Sequence, residues 1–349
     1  MEFAISKTIA GLEDAAAREI KELFGINLKI EMPGRVKFDG AYAKEFSEKT
    51  KTCNTVYLML RHFKFGGINK IIENVESIDF SFINEDFVVR CSRLGKHDFN
   101  SNDVEKRVGE ILFNKGYKVN LKSEEVVYVD IFDDKCIIGR LVKDGIGKRN
   151  YRVKTNNQSI TPIIASCLLN ISGWKKTESL LDPFCKDGTI LIEAGLNGGK
   201  KLHGCDDENN VRNARINSAL AKLKIRFCTK EELKGFKEKS IDTIITNLPF
   251  TSKRRNETEV KRSLNEFLEK TCVIAKKKIV AITRNEKDVD NICKKIGFLA
   301  YEKRAFSVGG QKYSIMAFKP KNRGDKPKAL YSSIGGVSQE NKQALLIKK

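Results

Sequence analysis

The chain has 349 residues, and 65 lysines and arginines against 45 aspartates and glutamates give it a formal net charge of +20. This length suits two or three domains, and the basic excess favours a polyanionic partner, because neutralised phosphates release condensed counterions. The sequence lacks the run of roughly 20 apolar residues that a membrane helix needs, and its three histidines and nine cysteines, none in a Cys-x-x-Cys pair, favour buried thiols over a metal site. We therefore expect a cytoplasmic protein with neither a membrane segment nor a metal.

The first 65 residues predict a small α+β domain. Their expected elements are a strand at 3–9, a helix at Glu13–Phe24 with apolar residues on one face, a strand at Arg35–Phe38, a polar helix at Tyr42–Thr50 and an alternating strand at Thr55–Lys64.

Residues 66–145 predict a second α+β part. Here we expect a strand from Phe87 to Cys91, then a basic loop, and a strand at Val126–Ile131. The intervening helix is expected to open at Asn102, with Glu105 three residues later as a capping box. Gly116 should end that helix.

A linker at 146–158 leads into an α/β domain expected at 159–320. Thr161-Pro162 predicts a helix start, and strands then alternate with helices down to Lys278–Ile282, a pattern typical of a parallel sheet covered on both faces. Two final strands, Phe298–Val308 and Lys312–Phe318, are joined at Gly309-Gly310, which predicts an antiparallel hairpin. Residues 321–349 are basic and predict a disordered tail.

Two landmarks in the α/β domain carry chemistry, and each follows a short apolar strand. Asp182–Thr189 links a strand to a helix, whose amino terminus can bind an anion. Asn247-Leu-Pro-Phe250 combines an amide, a proline and an aromatic ring, a group suited to holding a flat heterocycle that bears an amino group. The pair indicates a methyltransferase that uses S-adenosylmethionine and acts on an amine. A Gly-x-Gly-x-x-Gly turn is missing, which disfavours a nicotinamide-dependent oxidoreductase.

Four segments carry a family resemblance that spans nearly the whole chain. They are Val88–Phe99, Arg149–Arg152, Ser159–Ala165 and Asn247–Phe250. With these segments the chain resembles the THUMP-domain tRNA guanine-N2 methyltransferases. In these enzymes a ferredoxin-like domain, expected here at 1–65, and an RNA-binding THUMP domain, expected at 66–145, precede a Rossmann-like class I methyltransferase domain. The chain's Asn-Leu-Pro-Phe tetrad is most similar to the branch that methylates guanosine 6 of the acceptor stem, and position 10 is the alternative.

The resemblance implies roles for individual residues. Asn247, Leu248, Pro249 and Phe250 would form the catalytic tetrad. Asn247 Oδ1 and the Leu248 carbonyl would accept the two amine hydrogens, while Pro249 fixes the turn and Phe250 stacks on the base. The residues expected around S-adenosylmethionine are Asp182, Pro183, Phe184, Gly188, Thr189, Asp206, Asp207, Thr229 and Asn247.

The resemblance also implies tRNA as the partner of a protein that acts as a monomer. The residues expected to contact RNA are Arg90, Arg93, Lys96 and His97 in the N-terminal half, and Lys253, Arg254 and Arg255 after the tetrad. A solvated charged loop is the alternative for the first group.

The chain departs from the family pattern in three places, one of which is Thr251, where this branch usually has glycine after its tetrad. Lys186-Asp187 stands where relatives usually have Gly-Ser, and Asp187 could either cap the following helix or repel the cofactor carboxylate. Thr229 replaces an acidic residue that commonly contacts the adenine. These departures leave open a second hypothesis, a catalytically silent tRNA-binding relative with a degenerate cofactor turn.

Overall fold

The structure is a computed structural model that describes residues 2–250 and 257–320. The chain divides into two units. The first contains the residues before Thr8 together with Ile20–Ile146, and the second contains Thr8–Glu19 and the residues from Gly147 onward. Among the described residues, no helix combines the length and the apolar character needed to cross a bilayer.

The first unit is built on one sheet of eight strands. These are β1 (Phe3–Lys7), β2 (Lys29–Met32), β3 (Arg35–Asp39), β4 (Thr55–Lys64), β5 (Asp86–Leu94), β6 (Lys118–Val119), β7 (Val126–Phe132) and β8 (Lys135–Lys143), in the spatial order β2-β3-β1-β4-β8-β7-β5-β6. Its helices are α1 (Glu13–Phe24, shared with the second unit), α2 (Ala43–Lys49), α3 (Ile68–Glu76) and α4 (Ser101–Asn114). Because β4 pairs with β8, the strands of the two predicted N-terminal parts lie in one sheet.

Two local predictions in this unit are wrong. β5 does not end at Cys91, because its ladder with β7 continues to Leu94. α4 is capped by Asn100, whose side chain accepts hydrogen bonds from the backbone N–H groups of Asn102 and Asp103, while Asp103 accepts one from the Asn100 N–H. The predicted cap at Asn102 fails because Asn100 and Asp103 satisfy the same pattern two residues earlier.

The second unit has a seven-stranded sheet. Its strands are β9 (Leu180–Asp182), β10 (Leu202–Asp206), β11 (Arg226–Thr229), β12 (Ile241–Asn247), β13 (Ala275–Thr283), β14 (Phe298–Val308) and β15 (Gln311–Pro320), in the order β11-β10-β9-β12-β13-β15-β14. The helices are α5 (Pro162–Ser172), α6 (Thr189–Leu196), α7 (Glu208–Leu220), α8 (Glu257–Ile274) and α9 (Glu286–Lys295). β9 to β13 pair in parallel, whereas β15 runs antiparallel to β13 and β14, which confirms the predicted fold class and closing hairpin.

The strand order brings the two sequence landmarks together. Within the sheet, β10 is the neighbour of β9 on one side. The chain later returns to form β12, which is the neighbour of β9 on the other side. Ligands of open α/β sheets bind at such a reversal, at the carboxyl ends of the strands. The turn after β9 and the tetrad that begins at the end of β12 both lie there.

One cysteine pair departs from the expectation of free buried thiols. Cys205 and Cys228, register partners on β10 and β11, are joined as a disulfide, and the remaining seven cysteines are free.

Candidate active site

Asp182, at the end of β9, is a carboxyl group held inside the protein. Its Oδ1 accepts hydrogen bonds from the Thr246 hydroxyl at 2.7 Å and from the Phe184 N–H at 3.2 Å. The residue is 2% exposed, and this burial raises the pKa of its carboxyl to about 7. The Asp182 side chain thus ties β9 to β12 and orders the turn that follows it.

The turn reaches α6 through two residues in the left-handed region. Gly188 has a φ of +82°, and a Cβ there would approach the Ala214 side chain at 3.1 Å, so this position needs glycine. Asp187 accepts hydrogen bonds from the Thr189 hydroxyl at 2.8 Å and from the Thr189 N–H at 3.4 Å, and Arg152 lies 3.4 Å from its other oxygen. Asp187 is thus bonded to the first residue of α6, whose N-cap residue is Gly188, and lies beside Arg152.

Lys186 is the other left-handed residue, with a φ of +50°, although it is not a glycine. Its side chain is buried, and Nζ donates a 2.6 Å hydrogen bond to the backbone carbonyl of Asn247. Burial lowers the pKa of this lysine, against the charges of Asp182 and Asp206, which favour the ammonium form. The Lys186 side chain therefore connects the turn to the tetrad.

Asp206, at the end of β10, is buried and already bonded. Its Oδ2 accepts a hydrogen bond from the Lys186 N–H at 2.9 Å, and Oδ1 accepts from the Asp207 N–H and the Asn210 amide, with Lys230 Nζ 3.4 Å away. Burial opposes ionisation of Asp206, but the Asn210 bond and these other partners hold its pKa below the usual range. The carboxylate is charged, and Oδ2 accepts a single hydrogen bond among the described residues.

The tetrad leaves β12 with an oriented amide. Asn247 Nδ2 donates to the Gln158 carbonyl at 2.7 Å, which fixes Oδ1 as the other end of the amide. Within the described residues two buried oxygens at this edge lack a hydrogen-bond partner, Asn247 Oδ1 and Ser159 Oγ. Unpaired buried acceptors are rare and costly, so a free acceptor here points to a ligand.

An aromatic cleft lies beside the Asn247 amide. It has a volume of about 100 Å³ and is lined by Ser159, Phe250 and Tyr313 among others. The Arg284 guanidinium lies 4.9 Å from the centre of the Phe250 ring and 5.7 Å from that of Tyr313. This arrangement orients both rings and gives the cleft flat walls, which suit an aromatic heterocycle.

The segment before α5 is a part of the site to which the sequence assigned no roles. Glu193, on α6 and fully buried, receives hydrogen bonds from Arg149 at 2.9 and 3.2 Å, from the Tyr151 hydroxyl at 2.8 Å and from Ser166 at 3.0 Å. The sequence did contain a signal for these contacts. Glu193 stands within the apolar run of α6, and a charged residue buried there must be paired with other groups. These bonds anchor the chain that continues to Gln158 and Ser159.

The remaining predicted cofactor residues surround the same turn in different ways. Phe184 packs against Phe267 with ring centres 4.5 Å apart, and Pro183 lies within the buried turn. Asp207 caps α7 by accepting from the Asn210 N–H. The Thr229 hydroxyl donates to Glu232 at 3.3 Å. Asp207 and Thr229 thus already have structural partners, and their contact with a cofactor stays a prediction.

The predicted RNA-binding residues of the first unit do not form one cluster. Arg93 Nη1 donates to His97 Nδ1 at 2.8 Å, and His97 Nε2 donates to the Asp133 carbonyl at 2.7 Å. His97 is therefore the neutral tautomer in this pairing. Arg90, three residues before Arg93 on β5, points to the opposite face and donates to the Leu121 carbonyl. Lys96 is exposed, while Lys253, Arg254 and Arg255 lie outside the described residues.

No group of three or more potential metal ligands occurs among residues 2–250 and 257–320.

Comparison with family models places the chain in a class. Residues 149–313 match the RMKL-like methyltransferase domain and residues 67–140 match the THUMP domain. The protein therefore combines a THUMP domain with a methyltransferase domain of the RMKL-like family.

Particular relatives are similar to this chain over most of its length. The tRNA (guanine(6)-N2)-methyltransferase of Archaeoglobus fulgidus is 28% identical over 357 residues, covering 88% of this chain and 90% of the relative. The structure of TrmN from Thermus thermophilus superposes with a TM-score of 0.75 at 22% identity, covering 92% of this chain and 100% of that one. SMU.472, solved in complex with SAH, gives a TM-score of 0.76 at 16% identity over 92% and 98% of the two chains.

Proposed function

We propose that the protein transfers a methyl group from S-adenosylmethionine to the exocyclic N2 of a guanosine in tRNA, in the cytoplasm, and that this guanosine is position 6 of the acceptor stem. The observation that carries the proposal is the unpaired, buried Asn247 Oδ1 beside a cleft with aromatic walls. An acceptor held in this way suits an aromatic amine, whose hydrogens must be accepted before its lone pair can turn toward an electrophile. The choice of position 6 rests on the archaeal relative of that name.

In this proposal, individual residues have separate roles. Asn247 Oδ1 accepts one amine hydrogen, and the Leu248 carbonyl accepts the other. Phe250 stacks on the base, and Arg284 keeps the Phe250 ring in place. No strong base is needed, because the proton can leave after transfer. A guanine inside a stem must first swing out, at a cost of a few kcal/mol.

The residues around β9 and β10 fit the proposed cofactor in chemical type. The Asp206 Oδ2 can still accept from ribose hydroxyls, and the amino terminus of α6 favours the methionine carboxylate. When bound, S-adenosylmethionine supplies a methyl group activated by its sulfonium. The Lys186 side chain is the feature that does not suit a cationic ligand, and it supports the second candidate, a silent tRNA-binding relative.

The decisive experiment incubates the full-length protein with unmodified tRNA and methyl-labelled cofactor, followed by nucleoside mass mapping. We expect N2-methylguanosine at position 6. Replacing that guanosine with adenosine should abolish the label, whereas the same change at position 10 should not. Label in a pyrimidine or an adenine would refute the assignment, and tRNA binding without any label would favour the silent relative.

A further inference from the structure

Lys186 is a buried cation with few partners. Among the described residues its ammonium donates one hydrogen bond, to the Asn247 carbonyl, of the three that an ammonium can make. The side chain is 7% exposed, so water replaces the missing bonds poorly. A lysine in this state is unexpected unless the surroundings favour a positive charge.

Nearby carboxyl groups favour a positive charge here, although burial lowers the pKa of Lys186. The small chamber around the turn has a volume of about 10 Å³, against about 100 Å³ for the neighbouring aromatic cleft. It is lined by the carboxyl groups of Asp182 and Asp187 and by Asn247, whose carbonyl accepts from Lys186 Nζ. These oxygens would stabilise an arriving cation.

We propose that the Lys186 ammonium occupies the subsite in which this chain binds the positively charged methionine end of its cofactor, so that the lysine side chain must move out for the cofactor to enter. This inference rests on the proposed function, because it concerns the same cofactor. In the free protein the lysine side chain thereby fills the acidic chamber. It also lowers the affinity for the cofactor, since two cations compete for one set of oxygens.

The competing interpretation makes the opposite prediction. If the Lys186 ammonium instead paired with the methionine carboxylate, removing it would weaken binding. The sign of the change in affinity therefore separates the two roles.

The test is a calorimetric titration of the full-length protein with S-adenosylhomocysteine. We expect Lys186→Ala to bind about tenfold more tightly than the wild type, because like-charge repulsion within a buried chamber is removed. Lys186→Met should also bind more tightly, since it keeps the volume of the side chain without its charge. Lys239→Ala is the matched control: Lys239 is also a left-handed lysine, with a φ of +49°, but it is exposed. Its affinity should equal that of the wild type.

Each result has one meaning. Tighter binding by both Lys186 variants supports the inference. Unchanged or weaker binding by these variants, with the wild type binding well, overturns it and leaves the proposed methyltransferase function standing. No binding by the wild type or by either variant overturns both. Thermal unfolding with and without S-adenosylhomocysteine gives a second readout in which tighter binding appears as a larger rise in Tm.

Discussion

A substitution of Glu193 tests which contacts stabilise the candidate active site in the second unit. This side chain is fully buried, and it accepts hydrogen bonds from Arg149, Tyr151 and Ser166. The change Glu193→Gln keeps the shape but removes the negative charge. The Gln amide also places an N–H group against the Arg149 guanidinium, which cannot accept a hydrogen bond.

The size of the effect follows from the Arg149 side chain. It is 14% exposed beside a carboxylate that is 0% exposed, so the substitution leaves a largely buried guanidinium facing a neutral group in place of a negative charge. Breaking a buried ion pair from one side costs about 3–5 kcal/mol. We expect Glu193→Gln to lower the free energy of unfolding of the second unit by about 3 kcal/mol, because part of the hydrogen bonding survives.

The assay is urea unfolding followed by tryptophan fluorescence. The chain has a single tryptophan, Trp174, and its ring lies against Gly199, just after α6. Fluorescence therefore reports the unit that contains Glu193. Glu269→Gln, an exposed glutamate on α8, is the control and should change stability by less than about 0.5 kcal/mol. A loss below about 1 kcal/mol for Glu193→Gln would refute the reasoning.

Three further predictions address the site and the RNA. Asn247→Ala should reduce turnover by about 10²-fold (about 2.7 kcal/mol) with little change in tRNA affinity, and near-normal single-turnover methylation would exclude the amine-orienting role. Burial raises the pKa of Asp182 to about 7, so its protonated form adds stability below pH about 4 that is lost as the pH rises to about 7. Asp182→Asn, which keeps the acceptor oxygen, should therefore gain stability relative to the wild type across that range, and a pH-independent difference between the two would contradict the assignment. Lys96→Ala should reduce the slope of the logarithm of tRNA affinity against the logarithm of salt concentration, by up to the contribution of about one phosphate contact. An unchanged slope would show that the Lys96 side chain is merely solvated.

Local patterns predicted the elements that carry the site. Glu13–Phe24 and Thr55–Lys64 have the predicted bounds, because each has a continuous apolar period with clear breaks. The same logic located the turn after β9 and the tetrad at the end of β12. Where two signals competed, as at Asn100 and Asn102, the sequence could not decide between them.

The contacts between distant residues could not be predicted. Nothing near Lys186 in the sequence indicates that its side chain turns inward to Asn247, because that path depends on a left-handed backbone and on strand order. The positions of Arg90 and Arg93 depend on where β5 ends, and their contact with RNA stays a prediction. Once β5 extends past Cys91, the alternation of side chains places the two arginines on opposite faces.

Asn247 belongs both to the proposed cofactor site and to the proposed base site, and it contacts each through different atoms. Its backbone carbonyl accepts from Lys186, whereas its side-chain amide is oriented by the Gln158 carbonyl. Movement of Lys186 would therefore free the carbonyl without releasing the amide. Gln158 belongs to the segment that Glu193 anchors through Arg149 and Tyr151. It follows that the acceptor for the base is set by the fold before any cofactor binds, and that variants of Lys186 should alter cofactor affinity much more than they alter the capture of the base.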